Sequence, residues 1–295
     1  MTARGNASGT AEALGELRRA GGAMSETVDR PAAAARGGRA GDAALTLWQV
    51  AYEQRSFWRN RTRAFFSFGM PIMLLLLFAS LNSGARIKEL GNIPYVTFFL
   101  PGILAYGIII TQFMNMAAGI AIQRDNGLLK RMRGTPLPSW AYVGGRVGST
   151  VAISALMTAV MLIIGWGAYD VHLRAEAVPA VVLAVLLGAA VFAALGMATV
   201  AMIPNAEAAP VVANVLILPL SFISGIWYPL TGAPEWLADL AKVFPVERLA
   251  DALHVAFDPM NHGSAFAGGD FLVLGIWLVV GVRLAMRFWQ KETAR

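Results

Sequence analysis

The sequence contains no cysteine, and it has only three histidines among its 295 residues. Without cysteine there is no disulfide framework, no iron–sulfur cluster and no thiolate zinc site. Three imidazoles also supply a histidine-based metal centre poorly. We therefore expect no metal site and no bound cofactor in this chain.

Charge is also scarce, because 14% of the residues are charged while 57% are hydrophobic. Soluble domains usually carry about a quarter charged residues, and the mean hydropathy here is +0.57. These values exclude an ordinary water-soluble domain. The net charge of +6 could indicate nucleic-acid binding, but a membrane protein acquires such an excess from its topology. We expect no nucleic-acid partner.

A phosphate-binding P-loop is missing as well. That motif needs a lysine directly after a glycine whose amide cradles phosphate. The lysines here follow other residues, namely Ile87, Leu129, Ala241 and Gln290. We expect no catalytic residues, and any ATP hydrolysis must come from a separate polypeptide.

Long apolar runs are abundant instead. A hydrocarbon core about 30 Å thick requires about 20 mostly apolar residues in a helix. Six stretches meet this requirement: 64–81, 94–122, 140–168, 177–203, 208–228 and 271–289. The sequence thus predicts an all-α integral membrane protein with six transmembrane helices. Gly144, Gly148, Gly188 and Gly196 are expected where these helices approach closely.

The basic residues orient the spans, because Lys and Arg accumulate on the cytoplasmic side. One side carries twelve: Arg55, Arg59, Arg61, Arg63, Arg124, Lys130, Arg131, Arg133, Arg283, Arg287, Lys291 and Arg295. The other carries five over longer loops: Arg86, Lys88, Arg174, Lys242 and Arg248. This asymmetry predicts a multi-pass protein of the plasma membrane with both termini in the cytoplasm.

The chain divides into three regions by composition. Residues 1–41 are rich in Ala, Gly and Arg and are expected to form a disordered tail; Met1 and Met24 are both possible start residues. Residues 42–63 mix aromatic and basic side chains, which is typical of an amphipathic helix in the cytoplasmic headgroup layer; a plain juxtamembrane flank is the alternative. Residues 64–295 are the predicted transmembrane domain.

The cytoplasmic loop between the second and third spans reads RDNGLLKRMRGTPLP, residues 124–138. Leu128, Leu129 and Met132 would form a narrow apolar stripe on a short helix, which Pro136 would end. Such a helix could dock into a groove of another protein. Alternatively, its basic residues serve only as the topology signal.

This loop resembles the signature of ABC-2 type permeases, the membrane subunits of ATP-binding-cassette exporters. Asp125 stands where Glu is more usual, and Leu128 where Thr is commoner. A second match covers residues 205–230, and residues 233–253 resemble the family's short external helices between spans five and six. Together the similarity runs from Leu45 to the C-terminus and is closest to the daunorubicin-resistance type.

The resemblance implies partners. It implies two copies of an ATPase subunit, which bind ATP and Mg, and a second permease copy in a homodimer or heterodimer surrounded by membrane lipid. The loop would be the coupling helix. Its residues would divide into charge contacts, a bend and a docking surface: Arg124, Asp125, Gly127, Leu128, Leu129, Lys130, Arg131 and Met132.

Polar residues within the spans mark a candidate substrate path, since they are costly unless they face protein or water. They are Gln112, Asn115, Asn214, Ser221 and Ser224. The alternative is that they join helix to helix. The apolar composition favours hydrophobic or amphipathic cargo, such as a drug, a polyketide or a lipid, and hence multidrug efflux and antibiotic resistance. Polysaccharide or glycolipid export remains open. An ATP-independent secondary transporter is less favoured, because no Asp or Glu lies centrally in a span.

Overall fold

The computed structural model describes residues 39–128, 139–231, 233–261 and 263–294, and these are mostly helical. The chain divides into two units, residues 1–45 and 46–295. In the first unit only residues 39–45 are described, and all are helical. Most of the predicted tail and the predicted coupling residues Leu129, Lys130, Arg131 and Met132 lie outside the described residues.

The helices follow the apolar runs of the sequence. In chain order they are α1 (Arg39–Arg59), α2 (Arg61–Leu81), α3 (Tyr95–Asp125), α4 (Ser139–Tyr169), α5 (Val178–Thr199), α6 (Ala209–Phe222), α7 (Glu235–Ala241), α8 (Pro245–Phe257) and α9 (Gly268–Ala294). A short antiparallel pair, β1 (Arg86–Ile87) and β2 (Ile93–Pro94), joins α2 to α3. Single 3₁₀ turns cover Lys88–Leu90, Ala175–Ala177, Val200–Met202 and Ala206–Ala208.

Asn60 separates α1 from α2. Its side chain accepts a hydrogen bond from the Arg63 amide at 3.0 Å, so it caps the N-terminus of α2 as asparagine commonly does. The predicted interfacial segment 42–63 therefore contains most of α1 and the first turn of α2. Within it, Gln54 Nε2 donates to the Ser149 carbonyl at 3.0 Å, which joins α1 to α4.

α3 is the central helix of the second unit. In its most apolar 18-residue window 89% of the residues are buried, against 22% in the corresponding windows of α2 and α9. α3 packs against α2, α4, α5, α6 and α8, and α5 also packs against α4, α8 and α9. The core thus lies between α3 and α5, while α2 and α9 leave most of their apolar surface for lipid or another protein.

Glycines allow the closest of these approaches, as the sequence predicts. A Cβ atom added at Gly196 would lie 2.6 Å from the carbonyl oxygen of Phe113, and one at Gly188 would lie 2.7 Å from Leu249. One added at Gly148 would lie 2.9 Å from Val50. The contacts of α5 with α3 and α8, and of α4 with α1, therefore depend on these positions. The expected small-residue helix contacts are found at Gly148, Gly188 and Gly196, whereas a Cβ atom added at Gly144 would meet only Thr46, at 3.4 Å.

Gly196→Ala is expected to lower the free energy of unfolding by about 1–3 kcal/mol, because the new methyl group would push against backbone of α3. Gly275→Ala is the matched control, since Gly275 lies within α9 and a Cβ there meets nothing within 4 Å. Thermal unfolding of the detergent-solubilised protein measures both. Equal melting temperatures for the two variants would contradict this account of the α3–α5 contact.

Among the residues that the structure describes, five helical segments are long and apolar enough to cross a membrane: Arg61–Leu81, Tyr95–Asp125, Tyr142–Tyr169, Ala175–Met202 and Gly268–Arg287. A sixth apolar segment, Ala206–Phe222, is shorter. At 1.5 Å per residue it extends about 25 Å, which is less than the hydrocarbon thickness of about 30 Å. The predicted helical membrane protein is confirmed, and the sixth apolar run forms a shorter helix than the other five.

Candidate functional site

Arg124, in the last turn of α3, binds the chain between α5 and α6. Its Nη2 donates to the carbonyl oxygens of Ile203 at 2.9 Å and Pro204 at 3.0 Å, and its Nη1 donates to that of Val200 at 3.3 Å. These carbonyls follow the C-terminus of α5, where the helix dipole is negative. The positive guanidinium therefore stabilises the C-terminal end of α5 through its hydrogen bonds to these carbonyl oxygens.

Asp125 binds the other side of the same turn. Its Oδ2 accepts a hydrogen bond from the Ala206 amide at 2.7 Å, at the start of the apolar segment that contains α6. Asn205 caps this terminus too, since its Oδ1 accepts from the Ala208 amide at 2.9 Å. A carboxylate is favoured there because the first amides of a helix carry positive partial charge.

Two adjacent residues of α3 thus bind the ends of two other helical segments. The positive Arg124 binds the C-terminal end of α5, and the negative Asp125 binds the N-terminal end of the segment that contains α6. We call Arg124, Asp125 and residues 200–206 the cytoplasmic clamp, after the side of the membrane on which we propose below that it lies. It includes Arg124 and Asp125, the first two of the predicted coupling residues. Both charged side chains are partly withdrawn from solvent, with 19% and 37% of their surfaces exposed. The structure therefore gives each of them an intramolecular role.

Gly127 turns the chain away from α3 immediately after the clamp. Its φ is +68°, in the left-handed region that favours glycine, and its amide donates to the Arg124 carbonyl at 3.0 Å. This is a common way for a helix to end. A role of Gly127 in coupling, through a bend or through close approach, stays a prediction. Leu128 follows with 41% of its surface exposed.

A second polar cluster joins α3 to α4 at the same end. Nη1 of Arg146 donates to Gln123 Oε1 at 2.9 Å and to Tyr142 Oη at 2.8 Å, and Tyr142 Oη also donates to Gln123 Oε1. Arg146 is 5% exposed. The cluster connects the helices on either side of residues 129–138, so it fixes the distance between the two ends of that segment.

Two of the polar residues predicted on the substrate path join helices. Gln112 is fully buried, and its Nε2 donates to the Thr150 carbonyl at 2.9 Å and to Ser154 Oγ, both on α4. Asn115 Nδ2 lies 3.5 Å from Ser67 Oγ on α2. These contacts are the helix-to-helix contacts that the sequence left as the alternative.

The other three lie on or after α6. Ser221 is buried, donates to the Leu218 carbonyl at 2.7 Å and accepts from Trp227 Nε1 at 3.2 Å. Ser224 donates to the Ser221 carbonyl at 2.9 Å. Asn214, in contrast, is exposed on the surface of α6. The structure therefore does not bring the five predicted path residues together.

A cavity of about 640 Å³ lies at the opposite end of α3 from the clamp. We call it the external cavity, after the side of the membrane on which we propose below that it lies. Its lining comes from the segment around β2, the chain after α6, and helices α7 and α8, and it includes Phe98, Ser224, Glu247, Asp251, His254 and Phe257. Carboxylates and apolar side chains therefore face the same space.

Burial shifts the pKa values of three side chains that line this cavity. Burial, and secondly the charge of Asp251, raises the pKa of Glu247 to about 7. Burial, followed by the charge of Asp270, raises the pKa of Asp251 to about 6. Burial lowers the pKa of His254 to about 4, where its Nε2 lies 3.1 Å from the Phe98 carbonyl. The cavity consequently gains negative charge as the pH rises through 6 and 7, while His254 stays neutral.

Comparison with known proteins identifies the family. A family model described as ABC-2 type transporter matches residues 45–257, which contain the clamp and helices α2 to α8. The chain belongs to the ABC-2 type transporter family. It is a multi-pass transport permease, and the family resemblance predicted from the loop motif is confirmed.

Three transport permeases are similar to this ABC-2 permease. The inner membrane transport permease YadH of Escherichia coli K12 is 23% identical over 185 residues, covering 60% of this chain and 69% of YadH. The putative transport permease YvfS of Bacillus subtilis 168 is 23% identical over 246 residues, covering 82% and 96%. The probable multidrug ABC transporter permease YbhR of E. coli K12 is 21% identical over 160 residues, covering 54% of this chain and 43% of YbhR.

Two features of the permease were not predicted from its sequence. Arg146 is a single arginine inside an apolar run, and its isolation there is a signal, since ionisable residues in spans are rare and usually functional. The external cavity, in contrast, corresponds to no local pattern in the sequence. It forms only when residues around position 93 and residues 224–260 fold together.

Proposed function

We propose that this permease is the membrane subunit of an ATP-binding-cassette exporter. It would move a hydrophobic or amphipathic compound out of the cytoplasm or the inner leaflet, driven by a separate ATPase. The observation that carries the proposal is the cytoplasmic clamp. It connects the start of segment 129–138 to the turn between α5 and α6, so motion imposed on that segment has a mechanical route to two spans.

The topology we propose has six spans. Ala206–Phe222 is the fifth, and the chain beyond Phe222 completes its crossing. α7 and α8 are then the external helices between spans five and six, and both termini are cytoplasmic at the plasma membrane. α1 lies along the cytoplasmic surface. Its Leu47, Trp48 and Tyr52 support this placement, because 68%, 67% and 58% of their surfaces are exposed and such side chains favour the headgroup layer.

The active unit we propose contains two permease copies, identical or similar, and two ATPase subunits that bind ATP and Mg. Asn214 supports a second copy. Its amide is exposed on α6 between Val211 and Val215, which are 63% and 67% exposed. An amide facing hydrocarbon is costly, whereas a partner helix or a transport path between two copies would hydrogen-bond it. The path residues Gln112, Asn115, Ser221 and Ser224 would then set the packing around that path.

Coupling to the ATPase is proposed for the whole set of loop residues. Leu128, Leu129 and Met132 supply the docking surface, and Lys130 and Arg131 supply positive charge around it. Arg124, Asp125 and Gly127 hold the loop in place. A drug, a polyketide or a lipid is the proposed cargo, with multidrug efflux and antibiotic resistance as the consequence. Export of a polysaccharide or glycolipid is the alternative.

Site-directed labelling tests the arrangement cleanly, because the chain has no cysteine. Arg131→Cys should react with a membrane-impermeant maleimide only from the cytoplasmic side, and should cross-link to the partner ATPase. Glu89→Cys, between the two β-strands, is the control and should react only from outside. Glu292→Cys should behave like Arg131→Cys if the span number is even. Labelling of Arg131→Cys from outside, or no cross-link to the ATPase, would overturn the proposal.

A further inference from the structure

The external cavity has a charge and a shape that the proposed function leaves unused. We propose that it binds an organic cation attached to an apolar body, on the outer side of the permease. This inference rests on the proposed function only in placing the cavity outside the membrane. The chemistry comes from the lining itself.

The carboxylates of the cavity outnumber the cations available to neutralise them. Arg248 pairs with Asp270, with 2.6 Å between Nη1 and Oδ1, and only 8% of the Asp270 side chain is exposed. Lys242 pairs with the exposed Asp239 at 3.0 Å. Glu247, Asp251 and Asp258 also line or border the cavity. Among the residues that line the cavity itself, one cation, Lys242, faces three carboxylates, Glu247, Asp251 and Asp258.

Glu247 provides a second and independent observation. Its side chain is 12% exposed, and its Oε2 is buried without a hydrogen-bond partner. The nearest cation, Arg248 Nε, is 3.5 Å away and is already bound to the Lys242 carbonyl at 2.6 Å. A buried carboxylate oxygen without a donor is costly. A ligand that brings a positive charge into the cavity would relieve this cost.

The rest of the lining selects the apolar part of the ligand. Phe98, Val255, Phe257 and Met260 form walls of the cavity, and Phe98 stacks on His254 with 4.7 Å between ring centres. Aromatic faces attract organic cations as well as apolar groups. A volume of about 640 Å³ lies within the range of roughly 300–1,000 Å³ that holds drug-sized ligands.

A metal ion fits this lining poorly. Among the residues that the structure describes, no three His, Cys, Asp or Glu side chains are grouped closely enough to hold one. Hard cations need about six oxygen ligands, and the apolar walls supply none. The lining therefore favours a cation with its own hydrocarbon surface.

The site also continues from α6. Ser224 and Gly225, which follow that helix, form part of the lining, and Gly225 has a φ of +69° that lets the chain turn beneath the cavity. An occupied cavity would thus contact the outer end of the helix that carries Asn214. In an exporter, this position is where cargo leaves.

Tetraphenylphosphonium tests the proposal, with tetraphenylborate as a probe of nearly the same shape and opposite charge. Binding to the purified permease in neutral detergent is measured by equilibrium dialysis, without any ATPase. Tetraphenylphosphonium should bind at least about tenfold more tightly. Added phosphatidylethanolamine should displace it if the natural cation is a lipid headgroup, and should leave it bound if the cation is a soluble compound. Equal binding of the two probes would overturn the proposal.

Variants locate the binding in the cavity. The double variant E247Q/D251N keeps the side-chain shapes and should bind the cation about tenfold more weakly, whereas the control Glu235→Gln on α7 should bind it normally. Lys242→Gln removes a competing cation and should bind about threefold more tightly, a gain that misfolding cannot produce. Binding should also weaken from about pH 8 to about pH 5, as Glu247 and Asp251 become neutral beside Asp258, Asp270, Arg248, Lys242 and His254.

Unchanged binding in the double variant, or weaker binding in Lys242→Gln, would contradict the site. Because the assay uses the permease alone, its failure would leave the ATPase cross-link of Arg131→Cys unaffected. Loss of that cross-link would, conversely, leave cation binding unaffected. The two proposals therefore fail separately.

Discussion

Arg124→Ala should reduce ATP-driven export by at least about tenfold while the ATPase still co-purifies with the permease. The guanidinium makes three hydrogen bonds to backbone carbonyls between residues 200 and 204, and bonds to charged groups contribute about 1.5–3 kcal/mol each. A tenfold change corresponds to about 1.4 kcal/mol. Loss of even one of these hydrogen bonds from the clamp would therefore suffice for a tenfold reduction in export.

The measurement combines a pulldown with the ATPase and ATP-driven efflux from reconstituted vesicles. Arg59→Ala is the matched control, since it removes one exposed arginine from the end of α1 and should keep near-normal efflux. Arg124→Lys should fall between, because an ammonium cannot reach three carbonyls in one plane. If Arg124→Ala instead abolished co-purification, Arg124 would act as a direct docking residue. Normal association and normal efflux would remove the clamp from the mechanism.

Arg146→Ala should lower the free energy of unfolding by about 3 kcal/mol. It removes a 5% exposed side chain that binds Gln123 and Tyr142 together, and it leaves a cavity where the guanidinium was. Gly119→Ala should have a similar effect by a different route. A Cβ at Gly119 would overlap Arg146 Nη2, so the methyl group would displace the guanidinium from the cluster.

Thermal unfolding of the two single variants and the double variant tests this account. If both changes act through the same contact, their effects should not add, and the double variant should resemble Arg146→Ala. Gly167→Ala on α4 is the control, because a Cβ there meets nothing within 4 Å. Fully additive losses, or a neutral Gly119→Ala, would show that the cluster does not hold α3 and α4 together.

The helical membrane architecture could be predicted because spans depend on a local property, the length of an apolar run. Because only the length of an apolar run was used, the predicted length of the span at α6 differs from the length of the helix in the structure. The predicted stretch 208–228 is apolar throughout, but the helix ends at Phe222, and the following residues turn through Gly225 with its positive φ. Amino-acid composition shows that a stretch is apolar, but it does not show at which residue the helix ends and the backbone turns.

The roles of the charged residues depend on partners far away in the sequence. Arg124 and Asp125 were predicted from the loop motif as contacts for another protein. Their partners in the structure are backbone groups 76 to 81 positions later, and backbone groups leave no side-chain signature. Intermolecular contacts by these residues stay a prediction. Gln112 illustrates the same limit, because a buried amide has the same sequence pattern whether it binds cargo or Thr150.

The most direct test of the central claim compares efflux from vesicles that contain the permease alone with efflux from vesicles that contain the permease and its partner ATPase. Tetraphenylphosphonium can serve as the reporter, with ATP and Mg supplied on the cytoplasmic side. The account predicts ATP-dependent efflux only when both proteins are present, and none from the permease alone. Active efflux or ATP hydrolysis by the permease without the ATPase would contradict it.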